Sequence, residues 1–226
     1  MAGPPPVVYA LESVEILSMG MLWTTLPVLL RSDEYPGQFG VVTGAASAFG
    51  LATGAVGGRL SDVHGRTLVL LLAVGLFALS HLLLGAASLP ALQRWSGSTQ
   101  ALMVGGALLG RCSTTSGALR KALVADLSEP SGRTAALGRL AAMGGAGFVV
   151  GPTLAGRLVD LDVAYAVCAQ TALASVAVSL AVTIWRRSGG TAPTKPDAKP
   201  EPAAASSEDG WLSTVLGPVE LLHIPA

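Results

Sequence analysis

Charge is scarce in this sequence. Only 12% of its 226 residues are Asp, Glu, Lys or Arg, about half of the ~25% that soluble domains carry. So few charges cannot clothe the surface of a water-soluble fold of this size, which excludes an ordinary globular domain. The formal net charge is zero, so no basic surface argues for nucleic acid as a partner. Cysteine is nearly missing as well. Cys112 and Cys168 stand alone in apolar segments without the spacing of a disulfide framework, and read as small buried hydrophobes. The histidines His64, His81 and His223 lack metal-ligand spacing, no glycine loop runs into a Lys-Ser/Thr pair, and no base is placed to activate a serine. No enzyme activity, cofactor or metal site is expected. The opening Met-Ala-Gly-Pro-Pro-Pro has no basic residue, and Glu12 and Glu15 interrupt the first apolar run. That pattern is a poor secretory signal and reads as a retained helix.

What is abundant is apolar and small. The chain is 51% hydrophobic with 28 glycines, and its mean hydropathy is +0.59. Apolar runs long enough to cross a bilayer alternate with short polar turns. They predict an all-α membrane protein, a six-transmembrane-helix bundle over residues 1–187, with helices near 7–30, 39–56, 68–89, 99–119, 135–158 and 163–185. Residues 188–210 are rich in Pro, Ala, Ser, Lys and Glu without periodicity, as in a disordered cytoplasmic linker. Residues 211–226 form a short apolar tail, broken by Gly217-Pro218 and too short to span. Arg59, Arg66, Arg120, Lys121, Arg133, Arg186 and Arg187 flank one side, against Arg31, Arg94 and Arg157 on the other. This bias predicts a multi-pass protein with both termini cytoplasmic. Five crossings, with residues 7–30 merely interfacial and the N-terminus outside, are the alternative.

Within these runs a few residues invite a mechanism. Glu12 and Glu15 are three apart and share one face of the first helix. Arg111 falls near the middle of the fourth, where an unpaired guanidinium costs several kcal/mol. Its expected partners are those two glutamates, Glu15 before Glu12 because it lies one turn deeper. Such a pair serves either proton coupling or structure alone. His81, inside the third helix, either makes a hydrogen bond across the bundle or belongs to a proton or substrate path. Gly40, Gly44, Ala48, Ala52 and Val56 form a ridge of mostly small residues along the second helix, expected to admit a close neighbour. Asp62, in the turn at 57–67, reads either as a cap on the next helix or as a gating contact that pairs with Arg66.

The same residues carry a resemblance. Gly58, Leu60, Ser61, Asp62, Gly65 and Arg66 resemble the loop between helices two and three of the major facilitator superfamily, with Val63 and Thr67 where that pattern has basic residues. Arg111 with Gly117 resembles the intramembrane Arg element of the family's drug/proton antiporters. Gly147, Gly151, Pro152 and Gly156 resemble their helix-five signature, with Ala155 replacing one glycine. Ala125-Asp126-Leu127 before Arg133 resembles the loop after helix four. Within that family the resemblance is to the tetracycline-resistance-like group. It implies a gating latch at Gly58, Asp62, Gly65 and Arg66, an antiporter element at Gly147–Gly156, and a cytoplasmic loop held by Asp126 and Arg133. It also implies twelve helices in two halves, of which this chain supplies the amino-terminal one. The expected function is proton-coupled antiport of small organic molecules by a half or truncated form. The alternative is a non-transporting regulatory or incomplete fragment. Expected partners are the lipid bilayer, protons, an unidentified small organic substrate, and a second six-helix half or a second copy.

Overall fold

The computed structural model of the chain describes residues 4–30, 36–89 and 96–188. The expected linker and tail, 188–210 and 211–226, lie outside the described residues except for Ser188. All regular structure among the described residues is helical: α1 (Pro6–Leu29), α2 (Pro36–His64), α3 (Arg66–Ala87), α4 (Ser96–Gly110), α5 (Cys112–Leu127), α6 (Arg133–Leu161) and α7 (Val163–Arg187).

Local chemistry explains most of the boundaries. α1 begins at Pro6, with Pro5 extended before it at φ −65°, ψ 142°; a proline at the first helical position loses no hydrogen bond. At α7, the Asp162 carboxylate accepts from the Ala164 amide at 2.8 Å, capping the new helix. Between α2 and α3 the connection is tighter than the expected turn over 57–67. Helix persists to His64, Arg66 starts the next, and Gly65 alone makes the break at φ 90°. A residue with a Cβ resists that φ, so one glycine does the work of a longer loop.

The fourth crossing differs from expectation in two ways. α4 and α5 follow one another through Arg111, which keeps helical dihedrals. The Arg111 amide donates to Leu108 O and the Thr114 amide to Arg111 O, a local 3₁₀ tightening rather than a turn. The helix also runs to Leu127 instead of ending at Leu119, so residues 120–127 are helix and not loop. By length and composition, α1, α2, α3, α6 and α7 are each able to cross a membrane.

The bundle closes around α1. Its buried face meets α6 along Leu140, Gly144, Gly147, Gly151 and Ala155. A Cβ on Gly147 would stand 2.7 Å from the Ser13 carbonyl oxygen, and one on Gly20 would stand 2.9 Å from Pro152 Cδ. Only small residues allow this approach. α2 is attached more loosely, through Val42, Ala46, Gly50 and Gly57. The first part of its ridge, Gly40, Gly44 and Ala48, faces away from the bundle, contrary to expectation, and nothing lies within 4 Å of a Cβ added at Gly40 or Gly44. Ala52 and Val56 are exposed too but line an open groove shared with α3. Cys112 is buried as expected, but Cys168 is exposed; both are free.

Candidate functional site: a buried charge cluster

Glu12 and Glu15 project from one face of α1, and both are buried. Between them lies a guanidinium, and it belongs to Arg120, not Arg111. Arg120 Nε donates to Glu12 Oε2 and Arg120 Nη1 to Glu15 Oε2. The Arg120 and Glu15 side chains have 0% exposure and Glu12 keeps only a small exposed edge, so this three-residue ion cluster is internal. Ser116, one turn back on α5, accepts from Arg120 Nη1 at 3.2 Å and donates to Glu15 Oε1. Its hydroxyl also stands 2.8 Å from the Ser113 carbonyl. Arg120 Nη2 has no hydrogen-bond partner among the described residues. The α6 stripe seals the far side: a Cβ on Gly144 would meet Glu12 Oε1 at 2.9 Å.

The helix extension accounts for this pairing. Expected as a cytoplasmic flank, Arg120 sits about two turns before the end of α5 and points inward. Its neighbour Lys121 is exposed. The partner expected for the glutamates, Arg111, instead places its Cζ 4.5 Å from the Trp23 ring centroid. There the positive charge meets the negative face of the indole.

Farther along α1, the stripe continues through Ser18 and Thr25. Ser18 Oγ stands 3.0 Å from His81 Nε2 and 3.4 Å from the Gln170 carbonyl. His81 Nδ1 stands 2.9 Å from the Phe77 carbonyl, and Gln170 Nε2 donates to Thr25 Oγ1 at 2.8 Å. Nothing in the chain's local pattern marks Gln170; Ser18 and Ser116 are hinted at only by their spacing of three from Glu15 and four from Arg120.

The candidates of the two polar loops gather at one end of the bundle. Arg66, opening α3, pairs with Asp126 near the end of α5, and Arg133 Nε donates to the Ala125 carbonyl at 3.1 Å. Gly58 and Asp62 are exposed on the last turns of α2. Asp62 lies inside α2, so it does not cap α3, and Arg66 takes Asp126 rather than Asp62. Gly147, Gly151 and Pro152 line the α1 contact, whereas a Cβ added at Gly156 would find nothing within 4 Å.

Long apolar helices packed around a desolvated ion cluster define a multi-pass helical membrane protein. The chain belongs to the Major Facilitator Superfamily, whose family profile matches residues 9–223. It is 32% identical over 183 residues to solute carrier family 67 member A1 of Homo sapiens, covering 78% of this chain and 40% of that protein. It is 26% identical over 166 residues to the class D tetracycline resistance protein of Salmonella ordonez, covering 72% of this chain and 40% of that one. The class B protein of Escherichia coli is 27% identical over 178 residues, covering 77% and 42%. The chain thus spans well under half the length of these relatives.

Proposed function

We propose that the chain forms the amino-terminal half of a proton-coupled antiporter of small organic molecules, with Glu12, Glu15 and Arg120 as its proton-handling group. One observation carries this reading: two buried carboxylates share a single guanidinium. With both ionised, the cluster holds one negative charge in excess, which a proton cancels. Ser116 serves either state. It donates to an ionised Glu15; when Glu15 is protonated, it accepts from the carboxyl and turns its own hydrogen to the Ser113 carbonyl. Relatives named for tetracycline resistance support an organic substrate.

In this reading the exposed Asp62 meets a second six-helix unit and steadies one state of the gate. The Arg66–Asp126 pair keeps that end of the bundle rigid, with both termini cytoplasmic. The Gly147–Gly156 segment keeps α1 and α6 sealed against leakage.

The test is exchange in liposomes, with this chain reassembled with a carboxy-terminal six-helix unit from a homologous transporter and tetracycline as probe. A pH gradient should drive accumulation, and Glu15→Gln should abolish that drive while leaving tetracycline counterflow. Undiminished gradient-driven uptake by Glu15→Gln would sink the assignment. Failure of every partner unit to give exchange would favour the non-transporting alternative.

A further inference from the structure

We propose that His81 is a second station for the same proton, so that one proton moves between the Glu12–Glu15–Arg120 cluster and the His81 imidazole with Ser18 as the switch. This rests on the proton-coupled reading and adds a residue to it. The hydrogens at His81 can be counted. Nδ1 has two neighbours, the Phe77 carbonyl at 2.9 Å and the Ser80 hydroxyl at 3.3 Å; the nearer can only accept, so Nδ1 carries a hydrogen and Ser80 Oγ does not donate to it. In neutral His81, Nε2 is then an acceptor, and the single hydrogen of Ser18 must choose between Nε2 at 3.0 Å and the Gln170 carbonyl at 3.4 Å. When Nε2 gains a proton, it donates to Ser18 Oγ, and the Ser18 hydrogen turns to Gln170 O. Nδ1, Nε2 and Ser18 Oγ then each have an acceptor, and only a hydroxyl has rotated. Ser18 is to His81 what Ser116 is to Glu15.

Charge points the same way. A cationic imidazole in a bundle needs a nearby anion. Of the elements packed on α3, α4 contributes no ionisable residue. Those of α7 (Tyr165, Cys168, Arg186, Arg187) and of α2 (Arg59, Asp62, His64) are exposed, as are Lys121 and Asp126 of α5, while Arg66, Tyr9 and, at the α4–α5 joint, Arg111 are half-buried, Arg111 against the Trp23 ring. The buried ones are Glu12 and Glu15 on α1, and Cys112 and Arg120 on α5. Ser18 follows Glu15 by three residues on the same buried stripe. Among the described residues, the buried carboxylates are therefore on the helix that holds Ser18, and Arg120 leaves one of them uncompensated. With the proton on a carboxyl, the cluster and the imidazole are each neutral. With the proton on His81, the imidazolium balances the surplus carboxylate. The stripe as a whole keeps zero net charge in both states, which lets a proton change place inside a low-dielectric bundle.

The test is nitrogen NMR of the full chain in lipid nanodiscs, with ring-labelled histidine and the His81 signals assigned by their loss in His81→Gln. Lowering the pH should produce an imidazolium signal at His81 in the native chain. Glu15→Gln should suppress it without altering the other histidine signals, because no surplus carboxylate remains. Ser18→Ala, which keeps Glu15 and removes only the switch, should suppress it too and guards against misfolding of the first variant. An imidazole that stays neutral throughout the folded pH range, or one that protonates alike in native chain and Glu15→Gln, would overturn the proposal. The two ideas fail separately. Loss of gradient-driven exchange in Glu15→Gln with a silent His81 leaves the transport reading standing and removes His81 from it. An imidazolium linked to Glu15, with no proton-driven exchange in the reassembled protein, does the reverse.

Discussion

A buried cation is tolerable only as part of a set, and that makes the two arginines of the fourth crossing unequal. Arg120 has no exposed surface and holds two carboxylates. Arg120→Ala leaves both without a counter-ion, a loss of about 3–5 kcal/mol. Arg111 is half-buried against an indole that is 36% exposed, where a cation–π contact contributes about 0.5–1 kcal/mol. Arg111→Ala should therefore barely move the melting temperature in detergent, whereas Arg120→Ala should collapse it. Arg120→Met combined with Glu12→Gln and Glu15→Gln should recover most of that loss. Equal effects of the two single substitutions would show that the cluster is not what holds α1 to α5. The glutamates could be read from the sequence, because three-residue spacing fixes a shared face whatever surrounds it. Their partner could not. Arg120 beside Lys121 looks like the charged end of a span, and only tertiary packing shows that the helix continues to Leu127 and turns one of the two inward.

Among the helices, the α1–α6 seam depends on the absence of side chains. A Cβ at Gly147 would be 3.0 Å from Leu17 N, and one at Gly151 would be 3.1 Å from Met21 N. These are backbone atoms, which cannot swing aside. Gly147→Val and Gly151→Val should each cost about 1–3 kcal/mol by overpacking, seen as lower thermal stability or faster proteolysis. Gly145→Val, where nothing lies within 4 Å, should be tolerated. Comparable losses at all three positions would mean that helix propensity, not the seam, is being measured. The helical membrane fold was legible because apolar run length and polar turns report directly on the bilayer. The orientation of α2 was not. Four-residue spacing defines a stripe of small residues, but it does not say whether the partner for that stripe is in the same bundle. Val42, Ala46 and Gly50, a second stripe with the same spacing, make the contacts instead.

At the scale of the whole molecule, two exposed faces of small residues stand without a partner among the described residues, beside the leucine-rich surface of α3 at Leu72, Leu76, Leu79 and Leu82. One is the first part of the α2 ridge, from Gly40 and Gly44 to Ala48. The other, on α6, includes the small residues Gly138, Ala141, Ala142 and Gly145, all exposed. Lipid does not require small residues; close approach of another helix does. The relatives are more than twice the length that the chain covers in them, so material for such a helix exists in them. A substitution on these faces should therefore separate folding from assembly. Gly44→Trp and Gly145→Trp should leave the isolated chain as monodisperse and as stable as the native one, since a Cβ at either position meets nothing within 4 Å. The same variants, reassembled with a carboxy-terminal six-helix unit, should lose both stable association in detergent and tetracycline exchange in liposomes. Gly147→Val would fail earlier, in the isolated chain, because its Cβ lands on α1. If Gly44→Trp and Gly145→Trp associate and exchange normally, these faces meet lipid in the assembled transporter, and the second unit must dock elsewhere. If they unfold the isolated chain, α2 and α6 are packed more tightly than their exposure indicates, and the ridge is a bundle contact after all.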